Sequence, residues 1–378
     1  RTRLRRARLL DTKRRRSEHS SREAKEPLEP PGARTHLHLS PTATAKQAAQ
    51  NNPSKQPNVF RPHAKPNRFK FMAMDWGVHL PHLGRSVGRE SLIEFSQEID
   101  RLGFHSAWTS DHVCWPADVN SKYPYTADGS FPATPDMGWL DPLGTLQFVA
   151  ACTENLRLGI TVLILPYRLP VVTAKQLATI DVLSNGRLIL GVGVGWMQEE
   201  AEVLGMPWDQ RGKRSDEQLE IFNALFTEEN PSYDGEFYQF PAVGFEPKPI
   251  QDPMPVWVGG ASGAAFRRTA KFGHGFHAAF QPLDIVAQEW ADVRAACEVE
   301  GRDPDEITLS LRVYLDPNAV MEPAKSIGGS TDEMVDTIGQ MEDIGIQHVL
   351  LDPVARGGVP GRLDALRGFM ADVASQID

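Results

Sequence analysis

The chain is expected to fold as a (β/α)8 TIM barrel with insertions in the loop after strand 2 and before strand 5, and three observations predict this. Strand-like and helix-like stretches alternate through residues 71–378 without a break, and they number eight of each. A doubly wound open sheet, the competing architecture, would carry a GxGxxG fingerprint after its first strand, and none stands there.

Met74 to Leu80 (MDWGVHL) reads as the first strand, and Arg89 to Leu102 sets Leu92, Ile93, Phe95, Ile99 and Leu102 at helical spacing before Gly103. Phe104 to Thr109 is the second strand. A loop rich in Pro, Tyr, Asp and Gly follows from Asp111 to Trp139. Its Trp115, Tyr123, Tyr125, Phe131 and Trp139 suit an apolar lid or pocket wall, or a loop that merely packs itself to the surface. Asp141 to Thr153 is helical. Leu156 to Leu165 (LRLGITVLIL) is an apolar run of the kind that is covered on both faces. Val171 to Leu183 makes a helix stopped by Gly186, and Arg187 to Val194 is the fourth strand.

Lys213 to Phe226 places Leu219, Phe222 and Leu225 on one helical face, and residues 230–250 form a Pro-rich and aromatic insertion. Val256 to Val258 is a short fifth strand, and Gly259 to Gly263 opens a helix over 264–272. Strand and helix pairs at 275–280 with 283–299, 307–313 with 331–343, and 347–351 with 363–375 complete the count.

Charge divides the chain. Its 378 residues carry a net charge of -9, yet residues 1–70 hold 18 Lys+Arg against 5 Asp+Glu and the remainder 22 against 44. The first segment lacks hydrophobic periodicity and is expected to be a disordered basic extension. It reads as a nucleic-acid arm, a transit peptide, or sequence upstream of a natural start at Met72 or Met74. The acidic body argues against nucleic acid, and no long uncharged apolar run suggests a membrane span. Cys114, Cys152 and Cys297 are too few and too widely spaced for a metal knuckle or a disulfide framework, so a reducing, cytoplasmic setting is expected.

In a barrel of this kind the chemistry collects where strands end. The candidates are His79 and His82 after the first strand, Asp111 and His112 after the second, Thr161 to Pro166 after the third, Glu199 and Glu200 after the fourth, and Gly259 to Gly263 after the fifth. His112 suits general acid/base work because imidazole titrates near neutrality, and Asp111 can set its tautomer or charge. The same residues could instead form a turn in which Asp111 caps backbone amides. Gly259, Gly260, Ala261, Ser262 and Gly263 before a helix fit an anion site, with backbone amides and the Ser262 hydroxyl as donors. No HExxH motif or His/Cys cluster supports a metal, and no G-x-S-x-G elbow is present.

WGVHLP at 76–81, AWTSDH at 107–112, the run from Leu156 to Trp196, EPKPIQDPMPVWVGG at 246–260 and FGHGF at 272–276 together resemble the bacterial luciferase-like superfamily, within it the branch that uses the deazaflavin coenzyme F420. The resemblance implies an oxidoreductase that passes hydride between F420 and a small, apolar organic substrate. His112 would face the reactive edge of the ring, and Asp111 and Glu199 would lie among the cofactor contacts. A non-prolyl cis peptide at Thr161-Val162 would support the ring, and Gly259 to Gly263 would hold the phosphate. One alternative is an FMNH2-dependent monooxygenase supplied by a partner flavin reductase; another is a flavin-binding barrel without turnover. A homodimer is expected. Sugar-phosphate dehydrogenases of the branch carry a catalytic Glu directly after the fourth-strand GxG, where this chain has Trp196, so His112 is expected to lack an acidic partner.

Overall fold

The computed structural model describes residues 74–84, 87–131 and 133–377, and the expected basic extension over 1–70 lies outside them. Eight parallel strands form the barrel: β1 (Asp75–His79), β2 (Ser106–Thr109), β3 (Arg157–Ile160), β4 (Leu188–Gly193), β5 (Val256–Gly259), β6 (Gly275–Ala279), β7 (Thr308–Asp316) and β8 (His348–Pro353). Each pairs with the next, and β8 pairs with β1 to close the ring. The helices are α1 (Arg89–Arg101), α2 (Pro142–Ala150), α3 (Pro170–Leu183), α4 (Gln198–Val203), α5 (Arg211–Thr227), α6 (Gly263–Phe272), α7 (Leu283–Glu300), α8 (Thr331–Ile344) and α9 (Gly358–Asp372). Their apolar faces, such as Leu92, Phe95 and Ile99 on α1, bury against the outside of the barrel in one continuous core.

Three elements differ from the sequence reading. α4 was not expected, because six residues give no readable period. α9 begins at Gly358 and not at 363, since the buried Val359 draws the Gly-Val-Pro-Gly stretch into its first turn. The apolar run 156–165 is not one strand: β3 ends at Ile160 and pairing resumes only at Leu163–Ile164, with the cis peptide that the family resemblance implied between Thr161 and Val162.

The glycines of β4 and β5 make room for that interruption. A Cβ on Gly191 would stand 1.8 Å from the Ile160 carbonyl oxygen, one on Gly193 2.4 Å from Val162 Cγ2, and one on Gly259 2.8 Å from Val162 Cγ1. Because close-packed interiors cannot absorb such overlaps, these positions admit no side chain without movement of the bulge.

The barrel interior holds a second cluster, Trp108, Ile189, Trp257 and Leu350. Gly159 and Gly275 admit the two indoles, since a Cβ there would lie 2.2 Å from the Trp108 ring and 2.6 Å from Trp257. A polar column runs beside them. Trp108 Nε1 donates to Ser106 Oγ at 2.8 Å; Ser106 Oγ meets His348 Nε2 at 2.9 Å; His348 Nδ1 meets Ser310 Oγ at 2.8 Å; Ser310 Oγ meets His277 Nδ1 at 2.8 Å; and His277 Nε2 meets Thr161 Oγ1 at 2.9 Å.

Burial holds His277 down to about 3 and His82 to about 4, with nearby Arg312 adding to the effect, and it holds His79 and His348 well below the ordinary imidazole value. All four are therefore neutral in the folded protein at pH 6, while the unfolded chain takes up their protons from about pH 6.5 downward. Glu289, pushed up to about 7 by burial, works in the opposite sense and offsets one of those protons. Stability from the four histidines is thus complete above about pH 6.5 and falls as the pH drops toward 4. We expect urea titrations to show the unfolding free energy decreasing between pH 6 and pH 5 by more than the ~1.4 kcal/mol per pH unit that one proton supplies. A midpoint that does not move across that interval would contradict the neutral assignment.

Candidate active site

His112 follows the end of β2, and the short helix α4 after β4 brings a carboxylate to it. Glu200 Oε2 lies 2.6 Å from His112 Nδ1, and Oε1 accepts from the backbone amides of Val113 (2.7 Å) and Cys114 (3.1 Å). The carboxylate is fully buried and every lone-pair direction used is occupied by a donor. This corrects the expectation that His112 lacks an acidic partner: the acid is absent from position 196 and arrives from Glu200 instead. With Nδ1–H directed at a carboxylate, Nε2 is left as the ring nitrogen without a protein partner among the described residues.

Glu199 was expected among the cofactor contacts. Adjacent residues on a helix diverge by about 100°, and its Oε1 accepts from the amides of Asn120 (2.7 Å) and Ser121 (3.1 Å). The structure therefore places Glu199 on the long loop. Together the two glutamates clamp that loop at 113–114 and at 120–121.

Aromatic side chains surround His112. Its ring centroid lies 5.5 Å from Trp115, 5.7 Å from Phe131, 4.8 Å from Trp139 and 5.9 Å from Trp196. Tyr123 continues the cluster at 5.1 Å from Trp196, and Tyr125 reaches Phe280 beyond β6 at 6.4 Å. The loop thus lies across the mouth of the barrel from β2 to β6. A cavity of about 400 Å³ opens between it and Trp196, with Trp115, Lys122, Ser130 and Phe131 among its lining residues.

Asp111 points away from His112. Its Oδ2 accepts from the Ile164 amide at 3.0 Å, and Oδ1 accepts from Arg168 Nη2 at 2.7 Å, while Arg168 also reaches Asp141. Burial pushes the Asp111 carboxyl up, and Arg168 and the Ile164 amide oppose that rise. Asp111 was expected to bond the cofactor; what the structure shows it binding is the far side of the Thr161-Val162 interruption. Thr161 and Val162 themselves stand at the mouth, with Val162 wedged between Gly193 and Gly259.

The glycine loop sits at the end of β5. Gly260 has φ of +111°, a left-handed conformation that favours glycine, and residues 261–263 are exposed. Ser262 Oγ accepts from the Ala265 amide at 3.3 Å as the N-cap of α6, which leaves its hydroxyl hydrogen to donate elsewhere. The Arg267 guanidinium lies 3.6 Å from where a Cβ on Gly263 would stand, so a cation flanks the exposed amides.

At the opposite side of the mouth, His82 Nε2 lies 2.9 Å from the Ser110 amide nitrogen and 3.1 Å from the Ser110 carbonyl oxygen, and its Nδ1 lies 3.1 Å from the Leu80 carbonyl oxygen. His79 Nε2 meets Ser110 Oγ at 2.8 Å, and Asp352 bridges Arg312 and Arg362. Arg312 and Asp352 were not foreseen; the one signal was a charged residue inside the otherwise apolar and hydroxyl run of β7. Among the described residues no cluster could hold a metal ion, and no helix is long and apolar enough to cross a membrane.

Residues 70–327 match the family of luciferase-like monooxygenases. An uncharacterised protein of Mycobacterium tuberculosis (strain ATCC 25618 / H37Rv) is 32% identical over 260 residues, which cover 68% of this chain and 83% of that one. The FMNH2-dependent dimethylsulfone monooxygenase of Pseudomonas putida is 33% identical over 47% of this chain and 49% of its own. The F420-dependent glucose-6-phosphate dehydrogenase of Amycolatopsis mediterranei (strain U-32) is 29% identical over 50% of this chain and 53% of its own. This chain therefore spans about half the length of each of the last two.

Glu199→Ala removes the acceptor for two loop amides but touches no barrel strand. Limited proteolysis is expected to cut the variant within 115–135 several times faster than the wild type, at an unchanged thermal midpoint; equal cutting rates would show that Glu199 does not hold the loop.

Proposed function

The chain belongs to the luciferase-like monooxygenase family, and on that premise we propose that it is a flavin- or deazaflavin-dependent oxidoreductase that passes hydride between coenzyme F420 and a small organic substrate. The observation that carries this reading is the buried His112–Glu200 pair under an aromatic roof. A carboxylate that accepts from Nδ1 fixes the orientation of the imidazole and leaves Nε2 as the nitrogen open to a ligand. His112 can in this way hold or release the proton that accompanies hydride movement at the mouth.

The residues present fit a flat ring with a phosphate-bearing tail. Val162 forms a floor that a Cβ on Gly193 or Gly259 would disrupt, and the exposed residues 261–263 with Arg267 beside them suit the tail's anion. When bound, the ring supplies the hydride chemistry, and the protein supplies position, dryness and a proton. Asp111 holds the floor from behind through the Ile164 amide, Glu200 orients His112, and Trp115, Phe131, Trp139 and Trp196 exclude water above. Those aromatics favour an apolar substrate.

A second reading is favoured by the 33% identity to an FMNH2-dependent monooxygenase: the same pocket would then use reduced FMN from a partner reductase and oxygen. The two readings part on the cofactor. Separate fluorescence titrations with oxidised F420 and with FMN are expected to show binding of F420 at the lower concentration; binding of FMN alone would favour the monooxygenase. For whichever cofactor binds, His112→Ala is expected to keep the fold and lower turnover about 10²-fold or more, and Glu200→Gln to lower it less because a neutral acceptor remains. Turnover in His112→Ala equal to that of the wild type would remove His112 from the chemistry.

A further inference from the structure

The polar column inside the barrel has only two self-consistent hydrogen arrangements, and they end differently. Both His277 and His348 are neutral in a floor this buried, so each carries one N–H and one bare nitrogen. Ser310 Oγ touches Nδ1 of both rings and has a single hydrogen; accepting from both would leave that hydrogen without an acceptor among the described residues at a fully buried site, so it donates to one and accepts from the other. That choice propagates to both ends. Either every hydrogen points from Ser106 toward Thr161, or every one points back.

Trp108 breaks the tie. Its indole N–H is an obligate donor, and it already donates to Ser106 Oγ at 2.8 Å. If the column pointed back, Ser106 Oγ would accept from both Trp108 and His348, and its own hydrogen would face no acceptor among the described residues, at a site fully sealed from solvent. A buried unsatisfied donor costs about 1–3 kcal/mol. If the column points forward, Ser106 donates to His348 Nε2, His348 Nδ1–H to Ser310, Ser310 to His277 Nδ1, and His277 Nε2–H to Thr161 Oγ1. The surplus hydrogen then rests on Thr161, which is 8% exposed at the mouth and has no other partner for its hydroxyl among the described residues.

We infer that His277, Ser310, His348 and Ser106 are positioning residues that fix the Thr161 hydroxyl as a hydrogen-bond donor into the mouth of the barrel, so that the ligand resting on Thr161-Val162 presents an acceptor there, a carbonyl oxygen or an unprotonated ring nitrogen. The identity of that ligand as the ring cofactor rests on the function proposed above; the direction of the column does not.

Long-range proton–nitrogen correlation spectra of histidine-labelled protein without cofactor read the direction. His277 is expected as the Nε2–H tautomer and His348 as the opposite Nδ1–H tautomer; any other pair of tautomers overturns the inference. Fluorescence titration with F420 and FMN reads the acceptor. Thr161→Val is expected to weaken whichever cofactor binds the wild type by about threefold to tenfold, and Thr161→Ser, which restores the hydroxyl, to lie within about twofold of wild type. Unchanged affinity in Thr161→Val overturns the acceptor assignment. If neither cofactor binds the wild type, the cofactor reading fails and with it the ring as acceptor, while the tautomer pattern still decides whether Thr161 donates.

Discussion

The mouth of this barrel depends on how the third strand is interrupted. Ile160 ends β3, the chain turns through a cis Thr161-Val162 peptide, and pairing resumes at Leu163–Ile164 against β4. The interruption fits only because Gly191, Gly193 and Gly259 on neighbouring strands have no side chains. It is pinned from behind by Asp111 and Arg168 and from below by His277. Three groups that read as separate features of the sequence, the strand 2 acid, the glycines of β4 and β5, and the hydroxyl at 161, therefore serve one piece of backbone. Each can be understood only with the others present, which is why Asp111 sits beside His112 in sequence yet faces a different task.

The architecture was legible because alternation of period is a local property. Each strand and its return helix carries its own pattern, and counting eight needs no knowledge of contacts. The position of His112 at a strand end was legible for the same reason. Its partner was not: Glu200 lies 88 residues away, on a helix too short to show a period. An acid immediately after the fourth-strand GxG was the obvious place to look, and Trp196 there hid the fact that the helix starting at Gln198 turns Glu200 back toward β2. The break in the apolar run 156–165 was likewise invisible to period and propensity, since Thr161 and Val162 are good strand formers, and only the family resemblance implied a cis peptide there. What betrays it is the small size of the residues across from it, a clue carried by a different strand.

The two glutamates of α4 show how a short element controls a long one. Among the described residues, the loop from 113 to 139 has few ladder hydrogen bonds of its own, those of the Gly138–Trp139 pairing with Leu83–Gly84. The carboxylates of Glu200, buried, and Glu199, half-buried, accept backbone amides and supply what a strand would otherwise provide, at Val113 and, seven residues on, at Asn120. Between and beyond those points the aromatic rings pack on one another and on Trp196, His82 and Phe280 at the strand ends. A roof assembled in this way is held beside His112 through Val113 and Cys114, while its outer part, toward Tyr123 and Tyr125, is held by ring contacts together with the Tyr123 amide on the Gly129 carbonyl and Lys325 on the Tyr125 carbonyl.

The barrel floor explains why polar groups were kept where an apolar core would be simpler. Two indoles and two imidazoles fill the interior, and glycines at 159 and 275 leave space for the indoles. Trp108 stacks on His277 with an interplanar angle of 8°. Leucine or isoleucine at 277 and 348 would fill the volume without desolvating any nitrogen, so the histidines contribute nothing that packing alone requires. What they add is direction. A chain of hydroxyls and neutral imidazoles transmits the orientation of one indole N–H from the sealed end of the barrel to Thr161, through four groups that each have one hydrogen to give. Directional order of that kind is lost if any member is charged, and the positive field of Arg312, together with burial, keeps His277 neutral. The same surroundings that make this column expensive to bury are thus the ones that let it hold a fixed polarity at the mouth.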